Sequence, residues 1–453
     1  MKATRLLVVC AVGAALLGTV PAPGAEWKAG IARTEITPEK PIWMAGYAAR
    51  DHLPEGTIHP LWAKALAIED SAGSRMVIVT TDLIGMPRQL GDAVCARAKE
   101  STAIARDRVL LNFSHTHCGP VVLADKPVTY CLTAEQLTDA LAYAQTLQDK
   151  LVKLIETAVA SMRPAELAYG AGAATFAINR RARRRFKKGE KVDRSALVPV
   201  DHSVPALRVT GQKGKLVAVL FGYACHNTTT PVYQYNGDYA GYAQIALEAA
   251  HPGATALFMI GCGGDCNPDP RRTIELAEQH GESLAAAVDE ALVGELRPVG
   301  GPLRVCFEVV DLPLVDPPTK KELEERRGKG NKYHQRLTGK LLNTLEKEGA
   351  IPATLPCQVQ VVRFGDDLSI VAIAGEVVID YALRLKKEFA GERLWVAGYS
   401  NSVPAYIPSE RVLKEGGYEG GTAMVYFGVH GPFRPGVEDR VVGAVRRLMD
   451  RCR

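Results

Sequence analysis

Short apolar runs that stop on polar, chemically able residues recur along this chain. Val109–Phe113 runs into Ser114-His115-Thr116-His117, Leu216–Tyr223 into Cys225-His226-Asn227, and Ile370–Ala374 into Gly375-Glu376. Leu257–Ile260 ends in the glycine-rich stretch Gly261–Pro270, and Trp395–Val396 in Gly398-Tyr399-Ser400-Asn401. Continuous apolar runs suit buried strands. Between them the period changes to that of helices, over Leu90–Ser101, Gly241–Ala250 and Ile274–Leu292. Thr133–Ser161 places Leu137, Leu141, Ala144, Leu147, Leu151 and Leu154 at steps of three or four, which predicts a surface helix packed on the core. Trp27–Tyr47, with Ile36-Thr37-Pro38, reads as an extended opening segment with turn signals. Alternating strands and helices predict an α/β fold of layered sheets flanked by helices. Open α/β sheets build their sites outside the carboxyl ends of strands, so the polar endings are expected to converge there.

Composition narrows the picture. With 453 residues, 47% of them apolar, the chain can bury a large core, and residues 26–453 read as a single domain. Asp316–Gly349 differs from its surroundings, opening on Pro317-Pro318, crowded with Lys, Glu and Arg, and carrying Gly328-Lys329-Gly330 in its middle. It reads as a charged helical excursion, two solvated helices joined by a flexible turn, in preference to a partner-binding arm. The net charge of +5 is small, and acids interleave with bases everywhere except Arg180–Lys188, so no nucleic-acid surface is expected. Lys2 and Arg5, the apolar Leu6–Leu17 and Pro-Ala-Pro-Gly-Ala ending at Ala25 read as a signal peptide over residues 1–25. The mature chain is therefore expected to be secreted or periplasmic. No later apolar stretch reaches the length of about 18 residues that a transmembrane span needs. Of ten cysteines, Cys10 leaves with the leader, and the odd number that remains is not spaced like a small disulfide scaffold.

The strand endings carry the candidate chemistry. His115 and His117, two apart on an extended segment, project to the same side and can face one pocket. Neutral imidazole is the commonest protein ligand for transition metals, although a structural pair satisfied by hydrogen bonds is the other reading. His226, at a second strand end, favours the metal. Glu376 emerges from an apolar run and must be paired or ligated to offset desolvation, unless it serves as an acid at the start of the following helix. Two histidines and one glutamate form a familiar catalytic zinc shell. Gly261–Pro270 fits neither the Walker nor the Rossmann glycine spacing, which disfavours a phosphate cradle. Cys118, Cys225, Cys262 and Cys266 could suggest a thiolate site, but small buried packing residues are the simpler reading. Asn179–Arg185 is the one concentrated basic stretch. A solvated face is its usual explanation, yet Arg180, after Phe176-Ala177-Ile178-Asn179, could point its donors at an anionic or carbonyl oxygen.

Together these residues resemble the neutral ceramidase family, in particular its amino-terminal catalytic domain. The likeness runs from Gly30-Ile31-Ala32-Arg33-Thr34-Glu35-Ile36-Thr37-Pro38 and Met44-Ala45-Gly46-Tyr47 through Ser114-His115-Thr116-His117-Cys118-Gly119-Pro120, Ile178-Asn179-Arg180, Ala224-Cys225-His226 and Gly375-Glu376. It continues into Ala397-Gly398-Tyr399-Ser400-Asn401 and Tyr418-Glu419-Gly420-Gly421. The resemblance implies one catalytic zinc ion, Zn2+, held by His115, His226, Glu376 and Tyr406. The spacing between Tyr406 and Tyr418 suits the family pattern and selects Tyr406 over Tyr399. By the same resemblance His117, Arg180 and Tyr418 contact the scissile carbonyl and its oxyanion. Two departures stand out: Asn267 occupies the family's serine position in Gly264-Asp265-Cys266-Asn267-Pro268, and no immunoglobulin-like domain is expected after the Glu438–Met449 helix.

The expected function is therefore a zinc-dependent amidohydrolase acting on a small-molecule or lipid-like N-acyl substrate of the ceramide type. Zinc lowers the pKa of bound water from about 15.7 towards about 7, so a nucleophile is available without a serine. Asp265 or His117 could carry the proton, Arg180 and Tyr418 would stabilise the oxyanion, and Asn267 could add a donor through its amide. A related zinc hydrolase of another N-acyl or ester bond, a non-catalytic metal-binding module and a thiol enzyme using Cys266 are the alternatives.

Overall fold

The computed structural model describes residues 27–122, 126, 128–182 and 198–453. The expected leader, Arg183, Arg184 and Arg185 lie outside the described residues. Two sheets stack face to face, and helices cover the outer face of each. The larger sheet runs in the order Thr255–Phe258, Leu216–Phe221, Ser203–Thr210, Arg163–Ala173, Trp27–Glu35, Trp62–Asp70, Arg75–Thr81, Val109–Phe113. It is mixed: Thr255–Phe258 pairs in parallel with Leu216–Phe221, and Arg75–Thr81 with Val109–Phe113, while the central strands are antiparallel. The smaller sheet orders Leu303–Pro313, Thr354–Phe364, Leu368–Ile373 and Leu394–Ala397.

Period-two alternation explains the layering. In Trp62–Asp70, Ala65 and Ala67 face the helices on one side, whereas Leu66 and Ile68 face the second sheet on the other, and all four are buried. The inter-sheet layer joins Leu66, Ile68, Ile78, Leu220 and Leu257 to Phe364, Ile370 and Trp395. Each such side chain contributes about 1.5–3 kcal/mol on burial. Strands buried on both faces are largely apolar, which is why the runs were legible as strands.

The predicted helices form over Arg88–Thr102, Ala134–Ala160, Asp238–Ala250 and Ile274–Val293, with Val437–Arg451 on the far side. Ala134–Ala160 starts on a capping box in which Thr133 accepts from the Gln136 amide and Gln136 answers the Thr133 amide. Among the described residues no helix is long and apolar enough to cross a membrane. Cys306 pairs with Cys452, tying the last helix to the edge of the smaller sheet.

The charged segment forms two helices, Lys320–Arg326 and Lys332–Glu348, around the expected turn. It is not merely solvated, because Tyr333 and Lys340 bond to distant backbone. What positions the site is the meeting of strand ends from both sheets. Isolated bridges from Asn112 to Ser400 and from Gly261 to Ala397 stitch the sheets together there.

Candidate metal centre and active site

His115 follows the Val109–Phe113 strand with a φ of 62°, a sharp left-handed turn for a residue with a side chain. Its Nδ1 donates to the Ile84 carbonyl at 2.6 Å. His226, beyond the Leu216–Phe221 strand, donates through Nδ1 to the Gly263 carbonyl at 2.7 Å. A carbonyl only accepts, so each ring carries its proton on Nδ1 and leaves Nε2 with a free lone pair. Glu376 and Tyr406 are opposite one another in a short parallel ladder, which sets their side chains next to each other. The Glu376 Oε2 lies 3.1 Å from His226 Nε2 and 3.3 Å from His115 Nε2, and the Tyr406 hydroxyl lies 3.4 Å from His226 Nε2.

Those separations have a simple reading. Four ligands at about 2.0–2.1 Å from one ion in a tetrahedron sit about 3.3–3.4 Å from each other. Two lone pairs aimed at a carboxylate oxygen repel unless positive charge lies among them. The donor set therefore fits a divalent cation. His115, His117 and His226 also form a group able to hold a metal ion, with ligating atoms within 4.8 Å of one another. His117 Nε2 is 3.3 Å from His115 Nε2, so the residue expected to handle the substrate stands beside the proposed ligands. Its buried Nδ1 has no hydrogen-bond partner among the described residues.

Protonation follows from burial. Burial, and then the Arg180 charge, pushes His226 down to about 4, while burial and the neighbouring His115 push His117 well down. Both rings are neutral near pH 7, the state that ligates metal. Burial alone would raise the Glu376 carboxyl, and its contacts with His115 and His226 lower it below the usual carboxylate range; with Nε2 of both rings unprotonated, a bound cation is what would keep the carboxylate charged.

Arg180 lies at the end of the Ala177–Asn179 strand, which pairs with Cys266–Pro268. Its Nε donates to Glu419 Oε1 at 2.7 Å, and its Nη2 donates to the Gly264 carbonyl at 2.8 Å and the Tyr406 hydroxyl at 3.1 Å. Nη1 donates to Asn267 Oδ1 at 3.4 Å. The second Glu419 oxygen takes Arg181 Nη1 at 2.6 Å, so one buried carboxylate holds two guanidinium groups. Glu419 belongs to the Tyr418-Glu419-Gly420-Gly421 motif, and an acid that close to a candidate site was the only signal for this role. Tyr418 is 37% exposed, with its ring 5.4 Å from Tyr406 and 5.5 Å from the Arg180 guanidinium.

His117, Arg180, Asn267, Glu376, Tyr406 and Tyr418 share one cavity of about 500 Å³. Asp265 does not line it. That carboxylate is fully buried, accepting from Asn179 Nδ2 at 2.7 Å and from the Ile379 amide at 2.9 Å, and burial pushes it up to about 6. It braces the loop behind the site, a position that suits a strut better than a proton carrier. Cys118 is raised to about 11, and Cys225 and Cys266 are raised well above the usual thiol range, in each case chiefly by burial. Protonated buried thiols suit packing and disfavour a thiol nucleophile.

Gly46, with a φ of 98°, explains the opening motif: a Cβ there would lie 2.5 Å from the Cβ of His117. Gly46→Ala is expected to displace His117 and cut turnover while any metal held by the proposed ligands His115, His226, Glu376 and Tyr406 is retained. Parallel metal analysis and rate measurement on the variant check this, and an unchanged rate would break the link between Gly46 and His117.

Comparison with known proteins fixes the family. The profile described as neutral/alkaline non-lysosomal ceramidase, N-terminal, matches residues 27–303, more than half of the chain. The chain belongs to that ceramidase family. Such membership supports an enzyme that hydrolyses an amide bond. Neutral ceramidase of Pseudomonas aeruginosa is 25% identical over an alignment covering 93% of this chain and 72% of that protein. Neutral ceramidase A of Dictyostelium discoideum is 26% identical over 50% of this chain and 34% of its own length. A crystal structure of the Pseudomonas aeruginosa neutral ceramidase superposes with a TM-score of 0.72 at 21% identity, covering 94% of this chain and 75% of that one. A structure described as ceramidase complexed with C2 superposes equally well, and both share the ceramidase fold.

Proposed function

We propose that this protein is a zinc-dependent hydrolase of the amide bond in ceramide-like N-acyl substrates. The observation that carries the proposal is the meeting of His115, His226, Glu376 and Tyr406 at 3.1–3.4 Å beside the Arg180 guanidinium. The name of the Pseudomonas aeruginosa relative, a neutral ceramidase, supports the substrate class.

His115, His226, Glu376 and Tyr406 would hold the zinc, which when bound supplies a water of lowered pKa and a polarised carbonyl. His117 lines the cavity as a neutral ring beside the proposed ligands, so it can take a proton from the attacking water and return it to the leaving amine. Arg180, fixed by Glu419 and the Gly264 carbonyl, presents positive charge to the developing oxyanion, and the Tyr418 hydroxyl is the second donor. Asn267 turns Oδ1 towards Arg180, which leaves its Nδ2 to donate towards substrate. The leader-like residues 1–25 support export of the mature chain to the periplasm or beyond.

A second reading, hydrolysis of a different N-acyl compound, is favoured by Asn267 at the family's serine position. The test is metal analysis of the purified mature chain coupled to turnover on a panel of N-acyl amines, ceramide included. Bound zinc, loss of turnover on chelation and recovery with zinc are expected. Asn267→Ala is expected to slow turnover by up to about 10²-fold with metal retained. Full turnover by metal-free protein would sink the proposal, and cleavage of other amides without ceramide would select the second reading.

A further inference from the structure

The Asp316–Gly349 hairpin sits where the sequence did not place it. Its helices enclose a small apolar core of Leu323, Leu341 and Ile351, and Gly328 and Gly330, with φ of 74° and 79°, make the turn between them. The longer helix, Lys332–Glu348, then reaches three separate stretches of chain. Tyr333 donates its hydroxyl to the Ala48 carbonyl at 2.9 Å and sets its ring 5.0 Å from that of Tyr426. Arg336 Nη1 donates to the Val128 carbonyl at 3.3 Å, and Lys340 Nζ donates to the Gly428 carbonyl at 3.1 Å. Ala48, Thr129 and Tyr426 line the catalytic cavity, and Val128 and Gly428 are direct chain neighbours of lining residues.

We propose that this hairpin is a strap fixing the width of the cavity mouth, with Tyr333 the positioning residue that sets the size of the N-acyl group admitted. The proposal rests on amide hydrolysis at this same site. All three donors take backbone carbonyls, so they hold the course of the chain. The rim segments come from positions far apart in sequence and lie outside the sheets. Segments of that kind open locally at low cost unless something ties them. Tyr333 ties two of them, one through its hydroxyl and one through its ring. A rim held this way discriminates by steric fit, and a wall misfit by one methylene typically changes kcat/KM by about 10–200-fold.

The experiment uses the full mature chain, its Tyr333→Ala and Tyr333→Phe variants, and two amides of one amine, N-acetyl and N-palmitoyl. In Tyr333→Ala the ratio of kcat/KM for the bulky over the compact amide is expected to rise about tenfold, with kcat on the compact amide little changed. Tyr333→Phe, which keeps the ring and loses only the Ala48 bond, is expected to fall between. An unchanged ratio in folded Tyr333→Ala overturns the strap. Should the wild-type chain cleave neither amide, the functional reading falls, and hydrogen exchange judges the strap alone. Faster exchange at residues 45–49 and 424–428 in Tyr333→Ala supports it, and unchanged exchange overturns it.

Discussion

The His226→Ala protein is expected to lose its metal and its hydrolytic activity together. His226 is fully buried, and its Nε2 stands within 3.4 Å of both Glu376 Oε2 and the Tyr406 hydroxyl. Removing the ring leaves Glu376 as a buried carboxylate with one imidazole instead of two and takes one donor from the set of four. Changing a group that only orients a ligand costs about 10–100-fold in metal affinity, and removing a ligand outright should exceed the top of that range. Two measurements check this: metal per chain, and turnover on the best N-acyl substrate. A ligand that binds only the folded chain stabilises it by about 2.7 kcal/mol at a hundredfold excess over Kd. The wild-type Tm should therefore rise with added zinc, and that of His226→Ala should not. His251→Ala, at a half-exposed ion pair with Asp289, serves as the control that keeps metal. Full activity in His226→Ala refutes the ligand assignment, whereas lost activity with metal retained would make His226 a group that acts on substrate.

Much of this site is written locally in the chain. The ends of Val109–Phe113 and Leu216–Phe221 deliver His115 and His226 because strands buried on both faces are mostly apolar and turn polar where they end. Glu376 was legible for the same reason. Harder to see was which faces of the two sheets pack, since a strand apolar on both sides does not say what covers each. Asp265 shows a second limit. Its partners, Asn179 and Ile379, are 86 and 114 residues away, so its turn away from the cavity depends on long-range hydrogen bonds that carry no local pattern. The Lys332–Glu348 helix shows a third. Its polar side chains look solvated in sequence, yet Tyr333, Arg336 and Lys340 spend their donors on carbonyls, which every residue has and no sequence motif marks.

Arg180→Ala should cost about 10²–10³ in kcat, the 2.7–4 kcal/mol typical of one lost oxyanion donor, with metal content unchanged. The separation of rate from metal is what distinguishes this residue from His226. Arg180→Lys should rescue little, because a single ammonium cannot reach Glu419, the Gly264 carbonyl and the Tyr406 hydroxyl in the planar array the guanidinium offers. Glu419→Gln is the finer test, since it keeps the shape and removes the charge that holds Arg180 and Arg181. A smaller fall in kcat, about tenfold, is expected there. Burial alone would raise the Glu419 carboxyl, but Arg180 and the hydrogen bonds it receives hold it below its ordinary value. A depressed carboxyl stabilises the fold above the unfolded-state pKa, near 4.3, and that contribution is lost as pH falls through the lower folded-state value. Wild type should therefore lose stability on acidification more steeply than Glu419→Gln, a comparison made by denaturant titration at pH 7 and pH 4. Wild-type kcat in Arg180→Ala would remove Arg180 from the chemistry, leaving the clamp with Glu419 as a structural contact alone.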